Sequence, residues 1–482
     1  MSISAALNRF LNHLFRQNVR SLKISAYLFV LPALIHWMAD FPFSSILFSN
    51  HSPFFRIDLL DPSRAFDLLL ISPSDLWVYA LEAACVLFAG LFLWGKTHKY
   101  LYYSAFALIQ ISMINHLRLG GFVNASDDYY ECLLSIGFFA PWNKLNLTQI
   151  KEEKTADAPF FSAFYFLILT QSVLIYFFAA LFKNGKAWMV DYNAVELLVS
   201  RERGISFFAN YLYLHPLLAK LGTQGTLLFE FCIPILLLIP IARPALRKVL
   251  SVIIILFHVG LVFTLPYLIH FLFVFSVFPF VYGLNSDPKK ADLDLLNLRH
   301  KRFSLLELAS GTATVYFFAI LVCANFASLQ KARMRYPAWI FAKQLGISQG
   351  WGMFNQVNSA RFDTRILVVL PGGDEFTLAG KPAPHGVQSA PTLEDYPDDL
   401  GPFIGSARFG NWLRLTGKME DDDPKQLENR RLLLAYLCTN KIRTNLFFNQ
   451  VKVVKLNFYE VETSSRSPSF KVNNSASELC EL

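Results

Sequence analysis

Charge is what this chain has least of. Only 17% of its 482 residues are Asp, Glu, Lys or Arg, against about 25% in soluble globular domains. Cysteine is scarce too: six residues, at 85, 132, 232, 323, 438 and 480, with no CxxC pair among them. That spacing excludes a zinc ribbon and a thioredoxin-like redox pair; Cys438 and Cys480 could pair in an oxidising compartment. There is no P-loop, GxGxxG or HExxH motif and no internal repeat, so nucleotide and zinc-hydrolase chemistry have no anchor. The formal net charge is +8. No Lys/Arg cluster is interleaved with stacking aromatics on a soluble module, which excludes nucleic acid as the partner.

What is present is apolar. Hydrophobic residues make up 54% of the chain, and phenylalanine alone occurs 47 times. They fall in long runs with few charges, the pattern of helices facing hydrocarbon. Residues 1–20 form an amphipathic basic start that suits the membrane interface, and the first apolar run reads as a retained helix rather than a cleaved signal. Runs follow at about 24–39, 76–95, 100–117, 158–182, 224–242, 249–286 (long enough for two helices broken near Pro266) and 308–329. The stretch "YYECLLSIGFFAPW" is too short to span and reads as lying on the membrane surface. At roughly 20 residues per crossing the total is about eight transmembrane helices, or nine if 204–219 crosses.

Charge decides between these totals. The basic segments "GKTHK", "RPALRK" and 289–302 belong on the cytoplasmic side with the N-terminal arm. That requires 204–219 to cross as a tilted or broken span, and it places the N-terminus in the cytoplasm and residues 330–482 outside it. The fold expected is a polytopic α-helical membrane protein: an amphipathic segment (1–20), a transmembrane domain (21–329) and a small C-terminal α+β extramembrane domain (330–482). In that last region "TRILVVLPGGDEFTLAG" reads as a hairpin. "DDDPKQLENRRLLLAYLCTN" reads as a helix with Pro424 in its first turn, and "NQVKVVKLNFYEVETS" as a strand.

Ionisable groups at membrane depth are costly and mark functional sites by default. Asn115 and His116 end the third run in "MINHLRLGG"; histidine as a residue type can serve as a base near neutral pH, or cap the helix end. Lys183 follows an uncharged run, where it is either a shielded base or a snorkelling anchor. Lys186 suits the anchor better, Trp188 is an interface residue by type, and Asp191 can pair with either lysine. Glu230 lies inside "GTLLFEFCIPILLLIP" and needs a partner within the bundle. His258 lies in an apolar helix and faces protein or a cavity; His270 lies nearer a membrane surface. Glu82 suits a structural pair. Lys183, His116 and Asn115 are the catalytic candidates, Glu230 and His258 support them, and no metal site is expected. If they converge, a quinone-like or lipid-like ligand could reach them from the bilayer.

Several of these stretches resemble bacterial proteins of the HTTM (horizontally transferred transmembrane) domain family, related to the membrane part of the vitamin K-dependent gamma-glutamyl carboxylases. The likeness is carried by "NHLRLGG" at 115–121, "YFFAALFKNGKAW" at 176–188, "LFE" at 228–230, "LFHVGLVFTL" at 256–265 and "GISQGWGMFNQVNSARFD" at 346–363, with "RFGNWLRL" and "AYLCTN" further on. It spans most of residues 15–460 in pattern. The resemblance implies a reduced quinone such as vitamin K hydroquinone as cofactor. Lys183 would be the base toward it, and His116, with Asn115 beside it, would assist carboxylation of a glutamate. Two departures stand against the full reaction. Phe182 occupies the place of the first of two adjacent lysines in the carboxylases, and the extramembrane region is far smaller. The sequence therefore points to a protein of the bacterial inner or plasma membrane with three readings. It is a membrane enzyme acting on a quinone or lipid-like substrate, a nonenzymatic accessory or immunity protein whose C-terminal domain binds a peptide or protein partner, or a carboxylase-like enzyme.

Overall fold

The computed structural model describes residues 3–41, 44, 48, 67–72, 74–119, 125–146, 160–202, 207–239, 244–264, 305–329, 360–369, 375–377, 455–464 and 470–479. The chain divides into two compact units. The first comprises Met1–Phe41, Leu60–His116 and Ala125–Val357; the second comprises Pro42–Leu59, Leu117–Asn124 and Asn358–Leu482.

The first unit is helical. Helices α1 (Ile3–Phe15) and α2 (Val19–Asp40) flank a two-residue strand, β1 (Arg16–Gln17). After a 3-10 turn at Leu68–Ile71 come α3 (Asp75–Trp94), α4 (Lys99–Leu119) and α5 (Ala125–Gly137). A second 3-10 turn, Trp142–Leu145, precedes β2 (Phe160–Phe161) and α6 (Ala163–Phe182). Then follow α7 (Lys186–Met189), α8 (Ala194–Glu202), α9 (Phe207–Leu214), α10 (Pro216–Leu238), α11 (Pro244–Thr264) and α12 (Leu305–Leu329). Helix α6 is the central element and packs against α1, α5, α10 and α12.

The helix ends follow from their sequence. Ser74 caps α3, its hydroxyl accepting from the Leu76 N–H at 3.2 Å, and Ser162 caps α6 by accepting from Tyr165 N–H at 3.3 Å. Each cap satisfies one of the orphan donors of a first turn. Pro216 opens α10, where a missing N–H costs nothing.

One core of the unit centres on the fully buried Trp142. Its ring meets Phe92 at 5.1 Å, Tyr103 at 4.9 Å and Phe164 at 5.3 Å, joining α3, α4 and α6. The polar handles of these aromatics are satisfied: the indole N–H donates to Gly137 O, the Tyr103 hydroxyl to Leu134 O and the Tyr130 hydroxyl to Phe29 O. Buried aromatics need such partners.

Among the described residues three helices are long and apolar enough to cross a membrane: α3, α6 and α10. Shorter apolar stretches, Val249–Leu261 and Gly311–Cys323, lie in α11 and α12. The expectation of eight or nine transmembrane helices joined to a small α+β domain is corrected on this count. An apolar run in sequence does not distinguish lipid-facing helix from helix buried in protein. Helix α4 illustrates the difference: Ile109 through Leu117 are all buried, and Gln110, Ser112, Asn115 and His116 lie among them. "YYECLLSIG" lies in α5, buried from Tyr129 to Gly137 rather than on a surface. The extra crossing at 204–219 fails on length. Helix α9 has eight residues, about 12 Å at 1.5 Å per residue, and α10 begins at Pro216.

The described part of Asn358–Leu482 in the second unit is a four-stranded antiparallel sheet, with no helix among the described residues after Leu329. Strands β3 (Ala360–Val369), β4 (Glu375–Thr377), β5 (Lys455–Ser464) and β6 (Phe470–Leu479) lie in the order β4-β3-β5-β6. The β3–β4 register sets Val369 opposite Glu375, and β3–β5 runs from Ala360↔Ser464 to Val369↔Lys455. The helix expected from "DDDPKQLENRR", the Cys438–Cys480 pair and the second half of the 249–286 run lie outside the described residues, as does His270.

Candidate functional site

Among the described residues of the helical unit, His116, Lys183, Glu230 and His258 fall into three buried pairs with their partners, two of which converge on α6. The first joins α6 to α10. Lys183 is the C-cap of α6, its N–H bonded to Ala180 O at 3.2 Å. Its ammonium donates to both oxygens of Glu230 at 2.7 Å and reaches Ala179 O at 3.4 Å. The two side chains are only 5% and 9% exposed. The Trp188 ring lies 5.2 Å from the ammonium, within cation–π range. Trp188 is buried in a cluster with Ala194, Leu198 and Leu227. Lys183 therefore does not snorkel, and Trp188 is not an interface residue; the exposed Lys186 sits 3.7 Å from Asp191 instead.

Glu230 occupies a modified turn of α10. Pro234, buried inside the helix, has no N–H to give the Glu230 carbonyl one turn earlier, so the helix ladder is interrupted beside the carboxylate. Desolvating both ions costs several kcal/mol each, which close bidentate contact can offset. The Thr223 hydroxyl, also on α10, accepts from the Val195 N–H at 3.0 Å and ties α8 to the same helix.

The second pair is His116 with Asp67. Nδ1 of His116 lies 2.9 Å from Asp67 Oδ2, with the side chains 0% and 1% exposed. Asp67 also caps the 3-10 turn that follows it, its Oδ1 accepting from Leu69 N–H at 2.9 Å. That turn is pinned to α4, because Leu68 N–H donates to Ser112 Oγ at 2.6 Å, and to α3, because Trp77 Nε1–H donates to Leu68 O at 2.8 Å. An aspartate accepting from Nδ1–H puts the imidazole lone pair on Nε2, the arrangement of a general base held by an orienting carboxylate. Asn115 is buried beside it.

The third pair joins α6 to α11. The Tyr176 hydroxyl lies 2.6 Å from His258 Nε2, and both residues are buried. The Tyr176 ring packs edge-on to Phe229 at 5.5 Å, and Phe229 stacks on Phe257 at 3.9 Å. Tyr176 and Lys183 are seven residues apart, two turns along one face of α6. Glu82, on α3, is buried one turn from Cys85, whose sulfur accepts from the Gln110 side chain at 2.9 Å.

The structure thus brings together Lys183 and Glu230, which the sequence offers as separate places, and gives His116 and His258 partners of their own. Asp67 and Tyr176 do not stand out in the sequence. Asp67 sits in a mixed polar stretch with other acids, and Tyr176 is one aromatic in an aromatic run. Only the i, i+7 relation of Tyr176 to Lys183 could have drawn attention to it. Among the described residues no group of three His, Cys, Asp or Glu side chains could hold a metal ion. No family model, curated protein or solved structure matches the chain.

Proposed function

We propose that this is an integral membrane protein of the HTTM type and an enzyme that moves protons on a quinone-like or lipid-like substrate taken from the bilayer. The observation that carries this reading is the Lys183–Glu230 contact at 2.7 Å, an acidic and a basic side chain in bidentate contact in a buried site beside an aromatic ring. Exposed apolar side chains on α9, α10 and α11, among them Phe207, Leu217, Leu228, Ile235 and Leu256, support the location. Faces of this kind are rare on soluble monomers. The N-terminal arm and the basic segment "GKTHK" face the cytoplasm on this reading.

The donor set suits a reduced quinone. Glu230 can accept from an aryl hydroxyl, Lys183 can donate to the resulting oxygen, and Trp188 offers an aromatic wall. Bound there, a hydroquinone would supply reducing electrons and an acidic hydroxyl. Glu230 holds Lys183 in place, and a proton passed from the lysine to the carboxylate would leave the amine free to act as a base. His116, oriented by Asp67, is a second base on α4. The carboxylase reaction itself is not proposed, because Phe182 replaces the neighbouring lysine.

The test is oxygen uptake with vitamin K hydroquinone by the full chain in vesicles. Uptake above empty vesicles that is lost in Lys183→Ala, with membrane insertion unchanged, is the expected result. Uptake equal to that of empty vesicles would remove the quinone reading. A second reading, a nonenzymatic accessory protein, is favoured by one feature: both Glu230 oxygens are already engaged by Lys183, as in a purely structural pair. Unaltered partner recovery after deletion of 335–482 would count against it.

A further inference from the structure

Among the described residues, four segments that meet at one end of the helical unit contain no acidic residue: 16–23, 92–102, 138–146 and 160–163; the stretch joining the last two, 147–159, lies outside the described residues and carries Glu152, Glu153 and Asp157 with Lys151 and Lys154. Their meeting is set by specific contacts. Strands β1 and β2 pair, with Gln17 opposite Phe160. Helix α2 packs on α3 and on the Trp142–Leu145 turn. The Lys99 N–H reaches Asn146 Oδ1 at 3.5 Å, and the Lys144 ammonium sits 4.7 Å from the Phe160 ring centre. Lys23 is close enough to Lys99 to act on it electrostatically.

Within this end the lysines divide by role. Lys99 is buried and donates to the carbonyls of Phe92 and Leu93, closing the C-terminus of α3. The connection to α4 turns at His98, which takes a left-handed backbone with φ of 55°. Arg20, Lys23, Lys96, His98 and Lys144 are exposed. Beside them stand two exposed aromatics, Trp94 at 69% and Tyr100 at 40%, and exposed aliphatics Val86 and Leu87 continue down α3. A basic cap, then Trp and Tyr, then aliphatic surface is the order of groups met on passing from lipid phosphate to acyl chain. That order favours a lipid over a soluble polyanion, which would need no apolar flank.

We propose that this basic end is a docking site for the phosphate headgroup of anionic phospholipid, held by Lys23, Lys96 and Lys144 with Arg20 and His98 around them. Each basic side chain near an anionic surface contributes about 1 kcal/mol, roughly a fivefold change in affinity at low salt. The proposal rests on the membrane location proposed above, and the experiment separates the two. The full chain is first tested for extraction from membranes by alkaline carbonate; release into the soluble fraction would overturn the membrane location itself. The purified protein is then titrated in mild detergent with phosphatidylglycerol or phosphatidylcholine and its lipid adducts counted by native mass spectrometry. We expect phosphatidylglycerol adducts to exceed phosphatidylcholine adducts, and the excess to vanish in Lys23→Gln/Lys96→Gln/Lys144→Gln. It should persist when the same positions are changed to Arg, which keeps the charge should the Gln variant prove unstable. Equal adducts of both lipids, an equal loss in the exposed helix α10 control Lys220→Gln, or displacement of the lipid by inorganic phosphate or single-stranded RNA at matched concentration would each overturn the assignment.

Discussion

The ammonium of Lys183 lies 2.7 Å from both carboxylate oxygens of Glu230, a residue 47 positions later on another helix. Removing one partner leaves the other as a buried charge, which costs about 3–5 kcal/mol. We expect Lys183→Met and Glu230→Leu each to lower stability by that order in denaturant unfolding in detergent. The double variant should recover much of the loss, because no charge is then stranded. Additive losses would show that the two groups are not coupled.

Asp67 supports His116 and a turn at once. In Asp67→Asn the remaining side-chain oxygen can still accept from Leu69 N–H, so the cap survives. The acceptor for Nδ1–H is lost, at about 1.5–3 kcal/mol for a charge-assisted bond. The His116 proton should then move to Nε2, which nitrogen-15 NMR of labelled histidine reads directly. An unchanged tautomer would mean that Asp67 does not set it.

Gly137 ends α5 where a side chain has no room. A Cβ there would sit 1.7 Å from the Tyr103 hydroxyl oxygen and 2.3 Å from its Cζ. Tyr103 cannot easily yield, being fully buried and bonded to Leu134 O. Gly137→Ala should cost about 1–3 kcal/mol through overpacking. Tyr103→Phe should not rescue it, because the ring carbon remains in the way.

Tyr176→Phe removes one oxygen and leaves the ring against Phe229. The His258 nitrogen loses its partner, and the unsatisfied buried group should lower stability by about 1–3 kcal/mol. His258→Phe combined with Tyr176→Phe should cost less than the sum of the two single changes, read by the same unfolding assay.

How much of this is legible in the sequence depends on the range of the interaction. Local signals work: the uncharged run to Phe182 lies in α6, and Ser74 and Ser162 cap helices where a serine precedes an apolar stretch. The polar interruptions at His116, Lys183, Glu230 and His258 mark buried positions because charge inside an apolar helix is costly wherever the helix lies. What periodicity cannot supply is the environment of each run. The stretch of α4 from Ile109 to Leu117 is apolar enough to suggest part of a span, yet it is buried in protein, and α9 is a single short helix where charge bookkeeping required a crossing. The pairings are equally hidden: Lys183–Glu230 and Tyr176–His258 join helices far apart in sequence, and nothing local records which helix neighbours which.

The most direct measurement is mass spectrometry of molecules retained by the full chain purified from membranes in mild detergent, comparing wild type with Lys183→Met/Glu230→Leu. The double variant keeps the buried volume and removes the acid–base chemistry. If the pair binds a quinone-like or lipid-like substrate, wild type should carry such a molecule in near-stoichiometric amount and the variant should lose it while remaining folded and inserted. Retention of the same molecules in the same amounts by both proteins would contradict the assignment and leave Lys183–Glu230 as a structural pair.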